Sequence, residues 1–198
     1  MEEKGCPLLV IVTGPPCTGK TSLGQRLAED LHLPFLNKDG IKELLFDRLG
    51  WKDRAWSRAL SYATYDILYY LLESLLQSGS SLVVESNFKP ANDNPRFKSL
   101  HARHRFYQLQ VVCRAEPAVI LQRCAARAAS GERHPGHVDH LTLDEVRRSL
   151  EDGDYAALDI GGQVIDVDTT DFGNVDYLKL LTTVRLAVNN LVTRGIPQ

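Results

Sequence analysis

The chain has 198 residues, of which 43% are hydrophobic and 24% charged. This composition predicts one folded domain, residues 1–198, and excludes a disordered or fibrous protein. A formal net charge of -2 at pH 7 excludes a globally basic nucleic-acid binder. It does not exclude a nucleic-acid site in a local basic groove. No apolar run approaches the roughly 20 residues that span a bilayer, so we expect no membrane association.

Cysteine usage bears on the compartment. The four cysteines, at positions 6, 17, 113 and 124, show no paired spacing typical of a zinc site or a redox motif. The default expectation is therefore a reduced, cytoplasmic setting.

The first predicted elements are a strand, a glycine-containing turn and a helix. Residues 8–12 form a continuous apolar run of strand length, and leucines recur at helical spacing over residues 23–31. Between them, residues 14–21 read GPPCTGKT. This matches the phosphate-loop pattern, in which two glycines separated by four residues precede Lys and Ser or Thr.

Such a loop is an anion site, because its backbone N–H groups and the helix dipole converge on phosphate oxygens. We expect Lys20 to reach the β- and γ-phosphates and the Thr21 hydroxyl to bind Mg²⁺. The residues expected to bind ATP here are Gly14, Pro15, Pro16, Cys17, Thr18, Gly19, Lys20, Thr21 and Ser22. One alternative is a turn with no ligand. Oxidation or alkylation of the Cys17 thiol could block nucleotide, but a tolerated spacer is the favoured interpretation.

Strands and helices alternate along the rest of the chain. Further strands are predicted at residues 33–38, 81–84, 106–113 and 163–168. One further helix is predicted to begin at Asp39 as its N-cap, and another to run from after Arg54 to about residue 78. Others are predicted over about residues 96–103, 116–129, 142–151 and 176–194. The helix over residues 142–151 begins with a capping box at Thr142 and Glu145. Residues 130–140 lose periodicity and predict a loop or lid that is not a core element. The alternation predicts a parallel sheet with helices on both faces.

Ligands of such a sheet bind beyond the carboxyl ends of its strands, which draws attention to Asp39 and Glu85. Asp39 could take the proton from an acceptor hydroxyl, or serve only as a helix cap. Lys42, one turn further, could bind an anionic part of the acceptor, or be a solvated lysine. Glu85 could hold Mg²⁺ or orient substrate, and Asn87 could hydrogen-bond the acceptor. The alternative for Glu85 is a surface carboxylate at a strand end.

Three arginines are candidates for stabilising the transition state. Arg123 and Arg127 share one helical face, and Arg133 follows in the irregular segment. Arginines that close over a site offset the charge on the transferred phosphoryl group. The alternative is an ordinary exposed basic helix.

Two further clusters have weaker interpretations. His134, His137 and His140, with Asp139, could suggest a metal site, but Pro135 and Gly136 argue against a regular helix there, so a polar lid is favoured. The basic residues within 98–105 could touch nucleic acid, although a solvated helix end is favoured.

Together these features resemble the small P-loop kinases over nearly the whole chain. The residues that carry the resemblance are the loop 14–21, segment 37–39, strand end 85–88, Arg123, Arg127 and segment 167–170. The likeness is strongest to the branch that holds polynucleotide 5′-hydroxyl kinases, chloramphenicol phosphotransferase and zeta-toxin-like kinases. Glu85 stands where a polynucleotide kinase often has Asp, and a shared fold does not determine the acceptor.

The resemblance implies a three-layer α/β sandwich with a five-stranded parallel sheet in the order 2-3-1-4-5. It also implies a small mobile lid at about residues 128–141, here named the lid segment. Asp39 matches the catalytic Asp of polynucleotide kinases, and Lys42 stands where those enzymes often use an Arg that contacts the acceptor phosphate. Adenine is expected between the helix that leads into the lid segment and residues 170–173, with Thr170 as a contact.

The sequence thus predicts an ATP- and Mg²⁺-dependent kinase acting on a hydroxyl of a small molecule or of a nucleic-acid 5′ end. The expected catalytic residues are Lys20, Asp39, Arg123, Arg127 and Arg133. A rival of another class is a nucleotide-dependent switch or partner-binding ATPase without a phosphorylated acceptor, against which Asp39 and the arginines argue. No oligomeric state is predicted.

Overall fold

The computed structural model describes residues 6–194, and every predicted strand is present within two residues of its expected bounds. The strands are β1 (Leu8–Thr13), β2 (Phe35–Asn37), β3 (Leu82–Glu85), β4 (Tyr107–Arg114) and β5 (Gln163–Asp168). The helices are α1 (Lys20–Leu31), α2 (Lys38–Leu49), α3 (Arg54–Gln77), α4 (Pro90–Arg103), α5 (Pro117–Ser130), α6 (Leu143–Glu151) and α7 (Tyr177–Arg194). Short 3₁₀ helices cover Pro135–His137, Asp139–Leu141 and Phe172–Asn174.

The five strands pair in parallel in the order β2-β3-β1-β4-β5. This confirms the α/β architecture and the strand order that the resemblance implied. In the register, Glu85 at the end of β3 lies opposite Val12 of β1 and Asn37 of β2. Three strand ends therefore meet beside the loop that follows β1, at the edge where parallel sheets bind ligands.

Two cores cover the two faces of the sheet, because successive side chains of a strand point to opposite sides. Val10 and Val12 of β1 pack with residues of α1 and α7. Leu9 and Ile11 of the same strand pack with residues of α3 and α4. The result is three layers with β1 buried at the centre. Within residues 6–194, no helix combines the length and apolar character needed to cross a membrane.

The start of α2 differs from the expectation. Asn37, not Asp39, is the N-cap, and its side chain accepts a hydrogen bond from the Gly40 N–H. Asp39 instead lies in the first turn of the helix. Asn and Asp are both good caps, and the choice depends on which one holds the extended backbone at the end of β2. The cap role is thus filled by Asn37, and Asp39 is available for other contacts.

Two other helix starts also differ. Helix α4 begins at Pro90, six residues earlier than expected, because Pro fits a first turn and the Asp93 carboxylate accepts the Lys89 N–H at 2.7 Å. The capping box at α6 is absent. Thr142 is the N-cap but makes no side-chain cap hydrogen bond, and Glu145 pairs with Arg54 of α3 instead.

Candidate active site

The chain passes from β1 to α1 through a loop that requires glycine at two positions. Gly14 has a φ of 137°, and a Cβ there would lie 2.2 Å from the carbonyl oxygen of Cys113. Gly19 has a φ of 71°, and a Cβ there would lie 2.3 Å from the ring of Phe172. L side chains rarely adopt such angles, and both positions are sterically closed. The loop therefore presents bare backbone at these points.

The start of α1 has the features of an anion site. Gly19 at the N-cap has no side chain to bond the first N–H groups of the helix, which leaves them for a ligand. The Thr18 hydroxyl and the Lys20 ammonium both donate to the carbonyl oxygen of Pro15, at 2.8 and 3.0 Å. Lys20 is only 8% exposed. Its positive charge is thus held against the loop.

The end of β3 places a buried carboxylate beside this loop. Glu85 Oε2 accepts from the Thr21 hydroxyl at 2.9 Å and from the Asn37 amide, and Oε1 lies 3.9 Å from Lys20 Nζ. Burial raises the pKa of Glu85, against the opposing effect of Lys20. A hydroxyl and a carboxylate side by side suit a hard cation, which would also offset the cost of burying the charge. Thr21 and Glu85 are the residues that could hold Mg²⁺.

The first turn of α2 brings Asp39 to the same place. Its Oδ1 accepts from Lys38 Nζ at 3.0 Å, and its Oδ2 accepts from the guanidinium of Arg133. Burial raises the pKa of Asp39, but the charges of Lys38 and Arg133 outweigh burial and hold this pKa well below 3.8. Asp39 is therefore ionised at neutral pH, as a general base must be.

Arg127 of α5 and Arg133 of the lid segment bind the same carboxylate. Arg133 Nη1 lies 2.7 Å from Asp139 Oδ1, and Arg127 Nε lies 3.0 Å from Asp139 Oδ2. Burial raises the pKa of Asp139, but Arg133 and Arg127 lower it below its ordinary value. Asp139 thereby keeps both guanidinium groups at the cavity, and Arg133 bridges it to Asp39.

Arg123 has different surroundings. Its guanidinium donates to the carbonyl oxygens of Thr169 and Thr170, both at 2.8 Å, and lies 4.2 Å from the centre of the Phe172 ring. The Thr170 hydroxyl accepts the N–H of Glu116 at 3.1 Å. Arg123 therefore orders the segment after β5. Phe172 lines the cavity and Thr170 does not.

The lid segment packs on α2. His134 stacks on Phe46 with ring centres 5.0 Å apart, and His137 meets the same ring edge-on at 5.3 Å. A Cβ on Gly136 would lie 2.7 Å from Phe46. His137 is 5% exposed and contacts Glu43 at 2.8 Å, and burial lowers the pKa of His137 to about 3. We expected no part of this segment to belong to the core. That expectation is wrong for Gly136 and His137, which are buried against α2.

The alternative metal site at the three histidines is not formed. Across residues 6–194, no three His, Cys, Asp or Glu side chains are grouped so that they could hold a metal ion. His134 and His137 instead use their rings on Phe46, and His134 Nε2 lies 3.3 Å from Asp47. That residues 128–141 form a lid stays a prediction.

A buried lysine lies beyond Asp39 along α2. Lys42 is 3% exposed, and its ammonium donates to the Ser57 hydroxyl at 2.9 Å. Burial, with the nearby charge of Lys38, lowers the pKa of Lys42 to about 7. A buried ammonium with one hydroxyl partner is well suited to an anionic ligand, because such a ligand would restore the lost solvation.

Two more cations line the far wall. Lys89 donates to Ser149 at 2.8 Å and to Asp154 at 2.7 Å. Arg54 donates to Glu145 through Nε at 3.1 Å. These bonds connect α3 and the segment after β3 with α6 and the residues that follow it, so α6 closes this side of the cavity.

Most of the charged groups described above surround one cavity of about 540 Å³. The expected site residues that line it are Pro16, Cys17, Gly19, Lys20, Thr21, Ser22, Asp39, Lys42, Glu85, Asn87, Arg123, Arg127 and Arg133. The expected residues that do not line it are Gly14, Pro15, Thr18 and Thr170. The first three shape the loop through backbone conformation and the Pro15 carbonyl.

The cavity wall also contains residues that were not predicted as site residues. Among them are Lys38, Arg54, Lys89, Cys124, Asp139 and Phe172. The strand-end rule could have found Lys38 and Lys89, which follow β2 and β3 closely. Arg54 had no local signal, because its partner Glu145 is 91 positions away. Asp139 was grouped with the histidines, and Phe172 lay within the expected adenine segment.

The other basic cluster lies outside the cavity. Arg103 and His104 contact Glu73, and Lys98 contacts Asp159 at 2.8 Å. These residues lie at the end of α4 and just after it. The favoured interpretation, a solvated helix end, agrees with these contacts.

Fold and site together define a class of protein. A parallel sheet in the order β2-β3-β1-β4-β5 with a phosphate loop after β1 is the P-loop kinase fold, as the motif resemblance implied. The family model of the AAA domain matches residues 9–152, and the chain belongs to that family. No match was found among curated proteins.

Solved structures agree with this assignment. A "putative kinase" from Chloroflexus aurantiacus J-10-fl is 42% identical, with a TM-score of 0.82 over 91% of this chain and 97% of that one. A sugar kinase from Janibacter sp. HTCC2649 is 14% identical, with a TM-score of 0.56 over 98% and 99% of the two chains. Shikimate kinase from Bacteroides thetaiotaomicron is 16% identical, with a TM-score of 0.53 over 92% and 98%. The last two share the fold alone.

Proposed function

We propose that this protein is an ATP-dependent kinase that transfers the γ-phosphate of ATP to a hydroxyl group of an acceptor. One observation carries the proposal: Asp39, an ionised carboxylate, shares a cavity with Lys20 and Thr21 of the phosphate loop. A nucleotide-dependent switch needs no base for an acceptor hydroxyl, so this combination favours a kinase. The description of the Chloroflexus relative points the same way.

In this proposal the backbone of residues 14–21 binds the phosphates. Thr21 and Glu85 would hold Mg²⁺, since a hydroxyl and a carboxylate are oxygen ligands that this ion prefers. When bound, Mg²⁺ would neutralise charge on the phosphate oxygens. Phe172 offers a flat ring to the adenine, and Arg123 keeps that ring in place.

Asp39 accepts the proton of the acceptor hydroxyl while the acceptor oxygen attacks the γ-phosphorus. The bond from phosphorus to the β–γ bridging oxygen breaks, and ADP leaves. For this step the Arg133 guanidinium must leave the Asp39 carboxylate and bind the γ-phosphate oxygens. This movement frees the base and brings positive charge to the transferred phosphoryl group. Arg127 would move together with Arg133, because both arginines bind the carboxylate of Asp139. We therefore propose residues 128–141 as the lid. We also propose, as the sequence predicted, that residues 1–198 form a single domain that acts in the cytoplasm.

The cavity wall beyond Asp39 bears on the acceptor. Lys42, Lys89 and Arg54 support an acceptor that carries an anionic group besides its hydroxyl. Asn87 adds an amide that could bind a hydroxyl. Because α6 closes this side and the basic residues 98–105 lie elsewhere, a small molecule is favoured over a nucleic-acid 5′ end.

The test is ADP release from ATP and Mg²⁺ with a panel of acceptors. The panel holds hydroxy acids, sugar phosphates, nucleosides, hydroxyl-bearing antibiotics and a 5′-hydroxyl oligonucleotide. We expect stimulation by one anionic small-molecule class, lost in Lys20→Ala and kept in Lys98→Ala, an exposed lysine outside the cavity. Turnover at full rate without any acceptor would contradict the proposal and favour a switch.

A further inference from the structure

Two thiols that the proposed reaction does not use lie together in the cavity wall. Cys17 is in the phosphate loop, and Cys124 is on α5. Both line the cavity, and Cys17 packs against the cluster of Ile120, Cys124 and Val146. Both are free cysteines. Two neighbouring thiols are thus open to the same space as the proposed nucleotide.

The surroundings differentiate the two thiols. A hydrogen bond with Cys124 is the largest cause that lowers the pKa of Cys17 to about 7, and the charges of Arg127 and Lys20 act in the same direction against burial. The same hydrogen bond, with burial, raises the pKa of Cys124. Cys17 therefore loses its proton more readily than Cys124, which is the division of roles in an attacking and a resolving cysteine.

The remaining cysteines of residues 6–194 provide internal comparisons. Cys113 is fully buried in β4, and burial raises the pKa of its thiol to about 12. Cys6 is exposed, and the burial it does have raises the pKa of its thiol. Cys17 alone among the four combines access to the cavity with a thiolate-favouring environment. Thiolate character and access are what determine reactivity toward oxidants and alkylating agents.

We propose that Cys17 and Cys124 are a peroxide-sensitive dithiol, whose closure to a disulfide blocks the phosphate loop. The Cys17 thiolate attacks one oxygen of hydrogen peroxide, the O–O bond breaks, and Cys17 becomes a sulfenic acid while hydroxide leaves and is protonated to water. Cys124 then attacks the Cys17 sulfur, the S–O bond breaks, and a second water leaves with the Cys124 proton. Two thiols are oxidised by two electrons and one peroxide is reduced to two waters.

Closure would change the loop. A disulfide holds its sulfur atoms about 2 Å apart, closer than two thiols that only pack against each other. Cys17 has a φ of 62° between two glycines that need left-handed backbone, so drawing it toward α5 disturbs the conformation that presents the N–H groups. This consequence rests on the proposed nucleotide site, whereas disulfide formation does not.

The first experiment maps the disulfide without using activity. The full chain carrying Cys6→Ser, which prevents cross-linking between copies, is reduced, treated with hydrogen peroxide, blocked with N-ethylmaleimide and analysed by peptide mass spectrometry. We expect a Cys17–Cys124 link, with Cys113 alkylated only after denaturation. Cys124→Ser, with Cys124→Ala as a second variant, should instead leave Cys17 as a sulfenic acid that dimedone traps. Absence of both products would overturn the proposal.

The second experiment measures ATP binding by calorimetry on the reduced, oxidised and re-reduced protein. We expect oxidation to weaken binding about tenfold or more and dithiothreitol to restore it, and ATP with Mg²⁺ to slow alkylation of Cys17 about tenfold. A mapped disulfide with unchanged ATP affinity would overturn the block. Failure of the reduced protein to bind ATP would instead overturn the proposed function, with the mapped disulfide still standing.

Discussion

The guanidinium of Arg133 donates to the carboxylate of Asp39, and through another nitrogen it binds Asp139. This contact joins the lid segment to the helix that carries the proposed base. The proposed base is held ionised, but Arg133 occupies one of its two oxygens. In the proposed mechanism the ion pair must therefore separate before transfer, and the exchange of Arg133 from Asp39 to phosphate would couple the position of the lid segment to the availability of the base.

Replacing the base should abolish transfer and spare nucleotide binding. We expect Asp39→Asn to lower kcat for acceptor phosphorylation about 10²- to 10⁴-fold, because the amide cannot accept the hydroxyl proton. ATP affinity, measured by calorimetry, should change little. Asp66→Asn, on α3 and outside the cavity, is the matched control. Full acceptor phosphorylation by Asp39→Asn would contradict the assignment of the base.

The lid arginine should need its fork and not only its charge. Arg133 contacts two carboxylates at once, and a lysine keeps the charge but cannot form both contacts in the same geometry. We expect Arg133→Lys to lower kcat by about 10²-fold or more with a smaller change in ATP affinity. Steady-state kinetics against Arg147→Lys, an exposed arginine on α6, measures the effect. Equal kcat values in the two variants would exclude Arg133 from the transition state.

Glu85 should determine the requirement for Mg²⁺. Glu85→Gln keeps the shape of the side chain but removes the charge that faces Thr21 and Lys20. We expect the Mg²⁺ concentration for half-maximal activity to rise about 10- to 100-fold, and chelation with EDTA to abolish activity of the unaltered protein. Glu73→Gln on α3, outside the cavity, is the control. An unchanged Mg²⁺ titration would remove Glu85 from the metal site.

The buried Lys42 should make stability depend on pH. Its pKa is about 7 in the fold and 10.5 as the ordinary value, so between these values the unfolded chain holds a proton that the folded chain has lost. Stability relative to Lys42→Met therefore rises with pH over this interval, is fully present above 10.5 and is absent below about 7.

Urea unfolding of both proteins checks this. The difference in their free energies of unfolding should grow by roughly 2 kcal/mol from about pH 7.5 to about pH 9.5. Lys179→Met, at an exposed position of α7, should show a nearly constant difference. A constant difference for Lys42→Met as well would mean that burial does not lower the pKa of Lys42.

Phe172 should contribute to ATP affinity through its ring. Its contacts with Arg123 and with the position of Gly19 place it beside the phosphate loop. We expect Phe172→Ala to raise KM for ATP roughly tenfold with little change in kcat, since stacking on a base is a binding interaction. Phe172→Tyr, which keeps the ring, should behave as the unaltered protein. Equal KM values in Phe172→Ala and Phe172→Tyr would exclude stacking.

The amino-acid sequence alone determined the five strands, their parallel pairing with helices on both faces, and the loop that begins α1. These features follow from periodicity and from glycines at residues 14 and 19, which are properties of short stretches. The strand-end rule then led to Asp39, Glu85 and Asn87, because parallel strands all deliver their carboxyl ends to one edge. Sequence reasoning reached the centre of the candidate site for this reason.

The tertiary structure alone decided which charges meet. Nothing local to Arg133 indicates Asp39, 94 positions away, and nothing near Cys17 indicates Cys124 on α5. The same holds for Arg123, which the helical pattern grouped with Arg127 although its guanidinium binds the segment after β5. Backbone hydrogen bonding sets strands and helices from their own residues, whereas the partner of a side chain depends on which elements pack together, and periodicity carries no information about that.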